Sequence, residues 1–252
     1  MDHFVNESSI VRKIWGKSDT ILFIFAGAAA EFALNRAVDW LYFTGRLPAD
    51  PLGRLFSTVT YSHRIIFSER EDALQAIDKI TAIHKNIEQS RAAQIPDWAY
   101  RDVLFMLIDY SIRSFELLER KLTLPEKEEV FNVFYRMGLR MGLTGLPANY
   151  TEWIYMRAQH LNENLINSRF TTDLYKQYEK HLGFARYQLL KQVQMMLVPG
   201  IVNQELALGK ASWLIPIIYV YKLCREIKLV GLLKNAILPS QYQAQIQQLD
   251  KI

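Results

Sequence analysis

Between Glu69 and Ser90 the chain reads EREDALQAIDKITAIHKNIEQS, with apolar residues at Ala73, Ile77, Ile80 and Ile87. His84 stands between the last two, so the steps along these five positions are four, three, four and three. An α-helix gathers residues at that spacing onto one stripe, whereas a strand scatters them over both faces. A periodic run of this length commits the chain to helical packing, and the stripe is expected to face the interior. An imidazole is then carried inward among aliphatic side chains. Some thirty residues upstream, in DPLGRLFSTVTY, Arg54 and Thr58 are four apart and share a helix face. A buried neutral imidazole is a good ligand for haem iron or another transition metal, and a cation and a hydroxyl beside it would supply polar contacts.

The remaining segments read the same way. Residues 21–34 are apolar all round at first, as in a central buried helix. Small residues at 26–30, Gly27 among them, let another backbone or a flat ligand approach closely. A helix or helices follow over 35–44, then a turn-rich break at 45–53, then a segment from Arg54 to about Phe67 that reads as helix, although Thr58, Val59 and Thr60 also permit strand. Ser68 is expected as an N-cap, with Glu71 completing a capping box for the His84 helix. Further helices are expected over 97–121, from the Thr123/Glu126 capping box to about Gly142, and from Asn149 to Ile166. Residues 172–198 read as one long helix stopped by Pro199–Gly200. A helical hairpin is expected to about Leu238, then a polar tail from Pro239. No long segment has period two and no linker divides the chain. The expectation is all-α: a single domain, 1–252, of about nine helices.

Half of the residues are apolar and 22% charged, with 13 Tyr, 13 Phe and 5 Trp. Such aromatic content serves plain packing or the lining of a large apolar pocket. The net charge of +4 comes without a basic block, so nucleic acid is not an expected partner. One cysteine, Cys224, excludes an intrachain disulfide and an all-thiolate metal site. The start of the chain lacks a signal pattern, and a cytoplasmic location is expected. The apolar runs at 21–30 and 211–221 are too short to span a bilayer. Both are expected as buried helix, with peripheral membrane contact as the other reading of the second. Gly-rich nucleotide loops, HExxH, Glu-x-x-His and GxSxG are all missing from the sequence. Of the other histidines, His3 and His63 are expected to be structural or solvated, and His160 and His181 half-exposed. Arg113 and Glu116 are candidates for an ion pair, Arg186 and Tyr187 for packing, and Trp153 and Trp213 for the core.

The runs SDTILFIFAGAAAEFAL, DPLGRLFSTVTYSHRIIFSEREDAL, ITAIHKNIE and IPDWAYRDVLFMLI, taken in order, resemble a family long catalogued as a domain of unknown function. It includes the latex-clearing rubber oxygenases and a fungal, endoplasmic-reticulum-bound oxygenase of mycophenolic acid biosynthesis. The resemblance is best over residues 15–120. It rests on an Arg-x-x-x-Thr element, a Phe closing that segment and a helical His downstream. It implies an all-helical fold holding b-type haem, with His84 as the axial iron ligand and Arg54 and Thr58 as the pocket's catalytic Arg and Thr. Gly27 and its small neighbours are expected to line the haem face. Two departures stand out. Ser57 occupies the position of a family lysine, and the family's upstream glutamate base has no clear counterpart, Asp39 being nearest and Glu31 next. The expected function is a haem-b-dependent oxygenase or oxidoreductase using O₂ on an apolar, isoprenoid-like or aromatic substrate. The alternative is a non-catalytic helical protein that binds an apolar ligand or partner. The sequence leaves the oligomeric state open.

Overall fold

The computed structural model describes residues 2–45 and 49–226. The described residues form twelve α-helices and no strand. They are α1 (Ile10–Trp15), α2 (Ser18–Leu34), α3 (Val38–Phe43), α4 (Pro51–Phe67), α5 (Arg70–Arg91), α6 (Asp97–Leu118), α7 (Leu124–Arg140), α8 (Tyr150–Glu163), α9 (Arg169–Leu182), α10 (Phe184–Leu197), α11 (Gly200–Leu206) and α12 (Ile215–Glu226). Among the described residues only isolated bridges, His3 with Glu69 and Asn35 with Leu165, have β-type pairing. The fold is all-α as expected, with more helices than nine. Part of the excess is the break inside 172–198. Gly183, at φ +74°, ends α9 and turns the chain back into α10, a conformation that a residue with a Cβ rarely adopts. The hairpin and tail expected to 238 and beyond lie, past residue 226, outside the described residues.

The centre of the molecule is α2 packed antiparallel on α6. Lys17 pairs with Glu119, Gly27 abuts the ring of Tyr110, and Asn35 Nδ2 donates to Asp102 Oδ2 at 2.8 Å. Leu104, Phe105, Ile108 and Tyr110 on α6 meet Ile21, Ile24 and Leu34 on α2 in one core. Each such buried side chain contributes about 1.5–3 kcal/mol relative to exposure. Trp15 from α1 closes one end, edge-on to Phe25 at 6.0 Å, with its indole N–H on Ser111 Oγ at 3.0 Å.

Polar groups tie the same helices together out of water. Arg157 of α8 reaches Glu31 of α2 with two bonds of 2.5 Å and Asp109 of α6 at 3.1 Å. Tyr110 donates to Glu31 at 2.8 Å. Burial opposes the charge on Arg157, but Glu31 and Asp109 more than offset it and hold its pKa above the usual value. Asp102 gathers Asn35, Asn164 and His160. His160 is therefore buried, at 7% exposure, and not half-exposed as expected. Arg113 pairs with Asp109, one turn back on its own helix, at 2.6 Å, and not with Glu116, which Lys121 and Lys127 hold.

Local start signals divide. At Thr123 the capping box forms: its hydroxyl accepts the Glu126 N–H, and Glu126 accepts the Thr123 N–H at 2.8 Å. At Ser68 it does not. Ser68 ends α4, Glu69 precedes α5 without a side-chain cap, and the Asp2 carbonyl accepts the Arg70 N–H at 2.9 Å. The Ser68 N–H, which the box would have given to Glu71, bonds the Arg64 carbonyl at 3.1 Å instead, and the N-terminal segment satisfies a different first-turn donor. Trp153 is buried as expected, but Trp213 is 56% exposed. Pro216 sits in the first turn of α12, where a missing N–H costs nothing. Among the described residues no helix is long and apolar enough to cross a membrane.

Candidate functional site

A cavity of about 540 Å³ opens beside α2. The middle of its α2 wall is Ala26, Ala28 and Ala29, with Leu22, Phe23 and Phe25 before them and Phe32 beyond. Methyl-sized side chains in the middle of a helix cannot reach the facing helices, and the space they leave is the hollow. The α5 stripe divides along its length. Ala73, Ala76 and Ile77 are packed core, whereas Ile80, His84 and Ile87 face the cavity. Arg54 and Thr58 of α4 line it as well, so the three side chains singled out by spacing share one chamber.

Gly27 stands apart from them. It is not among the cavity-lining residues, and a Cβ there would lie 2.3 Å from Tyr110 Cδ1. Successive helix positions point about 100° apart, so the neighbours of Gly27 face the hollow while Gly27 meets α6. Its expected place on a cofactor face is corrected to a helix–helix contact.

The His84 ring is edge-on to Tyr100, centroids 5.2 Å apart. Its Nδ1 is buried without a hydrogen-bond partner. Burial lowers the His84 pKa to about 4, the Arg54 charge acts in the same direction, and Glu88 partly opposes both. The imidazole is thus neutral near pH 7, the form that binds metals. Tyr100 donates to Glu88 at 3.1 Å, which fixes the ring against which His84 rests. Arg54 Nη1 donates to Ser57 Oγ at 3.3 Å, so the serine in the family's lysine position steadies the guanidinium. The Thr58 hydroxyl donates to the Arg54 carbonyl at 3.2 Å. Its proton is used within the helix, and it offers the cavity acceptor lone pairs.

Neither carboxylate nominated as a base lines the cavity. Glu31 faces Arg157 on the far side of α2, and Asp39 accepts from Arg91 at 2.7 Å. Asp19 does line it, as does Arg186, and sequence reasoning singled out neither for the site. An Asp in the first turn of a helix reads as a partner of the helix dipole, which is why Asp19 carried no signal. Among the described residues no three His, Cys, Asp or Glu side chains converge as a metal-binding group, and His84 is the only histidine among the described lining residues.

The chain matches, over residues 13–211, the family described as ER-bound oxygenase mpaB/B'/Rubber oxygenase, catalytic domain. No curated protein matches it.

Proposed function

We propose that this chain, which belongs to the mpaB/rubber oxygenase catalytic-domain family, is a haem-b-dependent oxygenase with iron held by His84. The observation that carries the reading is a neutral imidazole, with a buried nitrogen lacking a partner, on the wall of a large apolar cavity. A lone histidine suits haem, because the macrocycle supplies the other iron ligands. The cavity volume falls within the roughly 300–1,000 Å³ of small-molecule and cofactor sites. Arg54 and Arg186 offer guanidinium groups to haem carboxylates. When bound, haem supplies the activation of O₂, which no side chain can provide.

The chain's own residues do the rest. Burial and Arg54 keep His84 unprotonated and available as a ligand. Ser57 orients Arg54, and Thr58 accepts a hydrogen bond from a group within the chamber. Alanine, leucine and isoleucine walls exclude water and select an apolar substrate by shape. Peripheral contact with a membrane, from which such a substrate would be drawn, belongs to the same proposal. Ile217 and Ile218 of α12 line the cavity, while Trp213, Tyr219 and Val220 nearby are exposed.

The test is an absorption spectrum of protein from haem-supplemented cells beside His84→Ala, with circular dichroism to show that both fold. A Soret band lost or displaced in the variant is expected. A colourless wild type that refuses added haemin overturns the reading and leaves a carrier of apolar ligands.

A further inference from the structure

The inner face of α4 carries more polar groups than Arg54 and Thr58. Tyr61 and Ser62 line the cavity as well. On a helix of 3.6 residues per turn, positions 54, 58, 61 and 62 fall within about 100° of arc. The climb from Arg54 to Ser62 is about 12 Å at ~1.5 Å per residue. The four side chains form one polar row, set lengthwise in a chamber whose other walls are mostly alanine, leucine, isoleucine, phenylalanine and methionine.

Ser62 is the informative member of the row. It is 7% exposed and shares its arc of α4 with Val59, Ile65 and Ile66, all core residues. A buried serine or threonine in a helix ordinarily returns its proton to the carbonyl one turn back. Ser111 does so to Leu107, Thr81 to Ile77 and Thr58 to Arg54. Ser62 does not, and neither Ser62 nor Tyr61 has a hydrogen-bond partner among the described residues. Ser114 on α6 also lacks a partner, but its oxygen is sealed in the packed core, whereas Ser62 borders the hollow. Other hydroxyls on the lining are spent: Tyr100 donates to Glu88, Tyr178 to the Ala29 carbonyl and Tyr221 to Asp19. A buried hydroxyl left unpaired destabilises a fold, and an alanine would occupy this place without that penalty. The serine therefore answers to something that enters the cavity.

We propose that Tyr61 and Ser62 form a subsite for a carbonyl oxygen carried by an otherwise apolar substrate. Each hydroxyl holds a proton that no described residue takes, and a carbonyl oxygen has two lone pairs to receive two donors. A hydrocarbon of the same shape fills the space but leaves both hydroxyls unpaired. Arg54, whose charge acts on His84, stands two turns of α4 away from Ser62. The carbonyl thus anchors one part of the ligand while a remote part of its chain reaches the His84 end. The site names the functional group of the substrate and rests on the oxygenase reading for calling that ligand a substrate; binding itself is testable without haem.

The experiment is displacement of a polarity-sensitive dye by 2-undecanone and by 2-methyl-1-undecene, in which a CH₂ replaces the carbonyl oxygen. It is run on the protein as purified and after haemin addition. Ser62→Ala and Tyr61→Phe each delete a hydroxyl and keep the shape of the wall. Each is expected to weaken the ketone relative to the alkene about fivefold, the ratio for one net hydrogen bond, and the double variant more than about tenfold. Because these hydroxyls bond nothing in the unliganded chain, Ser62→Ala should melt at or above the wild-type temperature, which a structural role for the hydroxyl does not allow. An unchanged ratio in the double variant, or a wild type that takes neither ligand, overturns the proposal. So does a ketone effect that disappears once haemin is bound, which would give the hydroxyls to the cofactor. Haem binding fails on the Soret band and the carbonyl subsite on the affinity ratio, so either can fall alone.

Discussion

Gly27→Ala tests whether this glycine serves helix packing or a ligand face. Its new Cβ would lie 2.3 and 2.5 Å from two ring carbons of Tyr110, where ordinary contact begins at 3.4 Å. The ring has nowhere to go: Tyr110 is fully buried, and its hydroxyl is held by Glu31 at 2.8 Å. Either α2 and α6 move apart or the Glu31 bond breaks. Overpacking of this kind costs about 1–3 kcal/mol. Alanine returns about 1 kcal/mol of helix propensity. With a clash more than 1 Å deep the upper end applies, so a net loss of about 2 kcal/mol is expected in urea denaturation. In a Tyr110→Leu background the same change should be neutral or stabilising, giving a coupling of about 2–3 kcal/mol. A Gly27→Ala variant of unchanged stability refutes the packing argument. One of unchanged stability but weakened haem uptake restores Gly27 to the cofactor face.

Arg157→Met leaves Glu31 buried without its cation, while Asp109 keeps Arg113, and should cost about 3–5 kcal/mol by chemical denaturation. Adding Glu31→Gln should recover part of that, and an Arg157→Met variant as stable as the wild type would mean water reaches the pair. His84 makes haem-free protein less stable in acid. Its folded pKa is depressed from 6.5 to about 4, so the unfolded chain takes the proton first, and stability falls as pH drops between those values. The loss is at most roughly 3 kcal/mol, less where water enters the cavity. It should vanish in His84→Gln, and identical pH profiles for the two proteins contradict a buried neutral His84.

What the sequence disclosed followed periodicity. The stripe on α5 reported a helix face whatever lay opposite, so it found His84 while missing that its second half borders a hollow. The Arg54–Thr58 spacing worked for the same reason, since one turn of helix fixes which side chains share a face. Gly27 failed on the same physics: small residues in a row mark close approach on some face, but only the register of α2 on α6 says which. The Ser68 cap failed because the preceding helix runs on to it: its N–H bonds the Arg64 carbonyl, so Ser68 closes α4 instead of opening α5. His160 and Arg157 look like surface residues in a polar run until Asp102, Asp109 and Glu31 come from other helices to meet them. Asp19 became visible only when Tyr221, two hundred residues on, closed over it.

The two faces of α2 explain how a hollow persists in a folded chain. An apolar cavity forfeits dispersion contacts along its lining, and helices with nothing between them tend to collapse together. The alanine face of α2 lacks the bulk to resist collapse. Resistance comes from the opposite face, where Gly27 admits Tyr110 to close contact, Glu31 is clamped by Arg157, and Asn35 binds Asp102. These groups fix the position of α2 on α6 and α8, and a helix so fixed cannot slide into the space beside it. The buried charges, which take no part in the site, therefore hold open the chamber that His84 and Asp19 line.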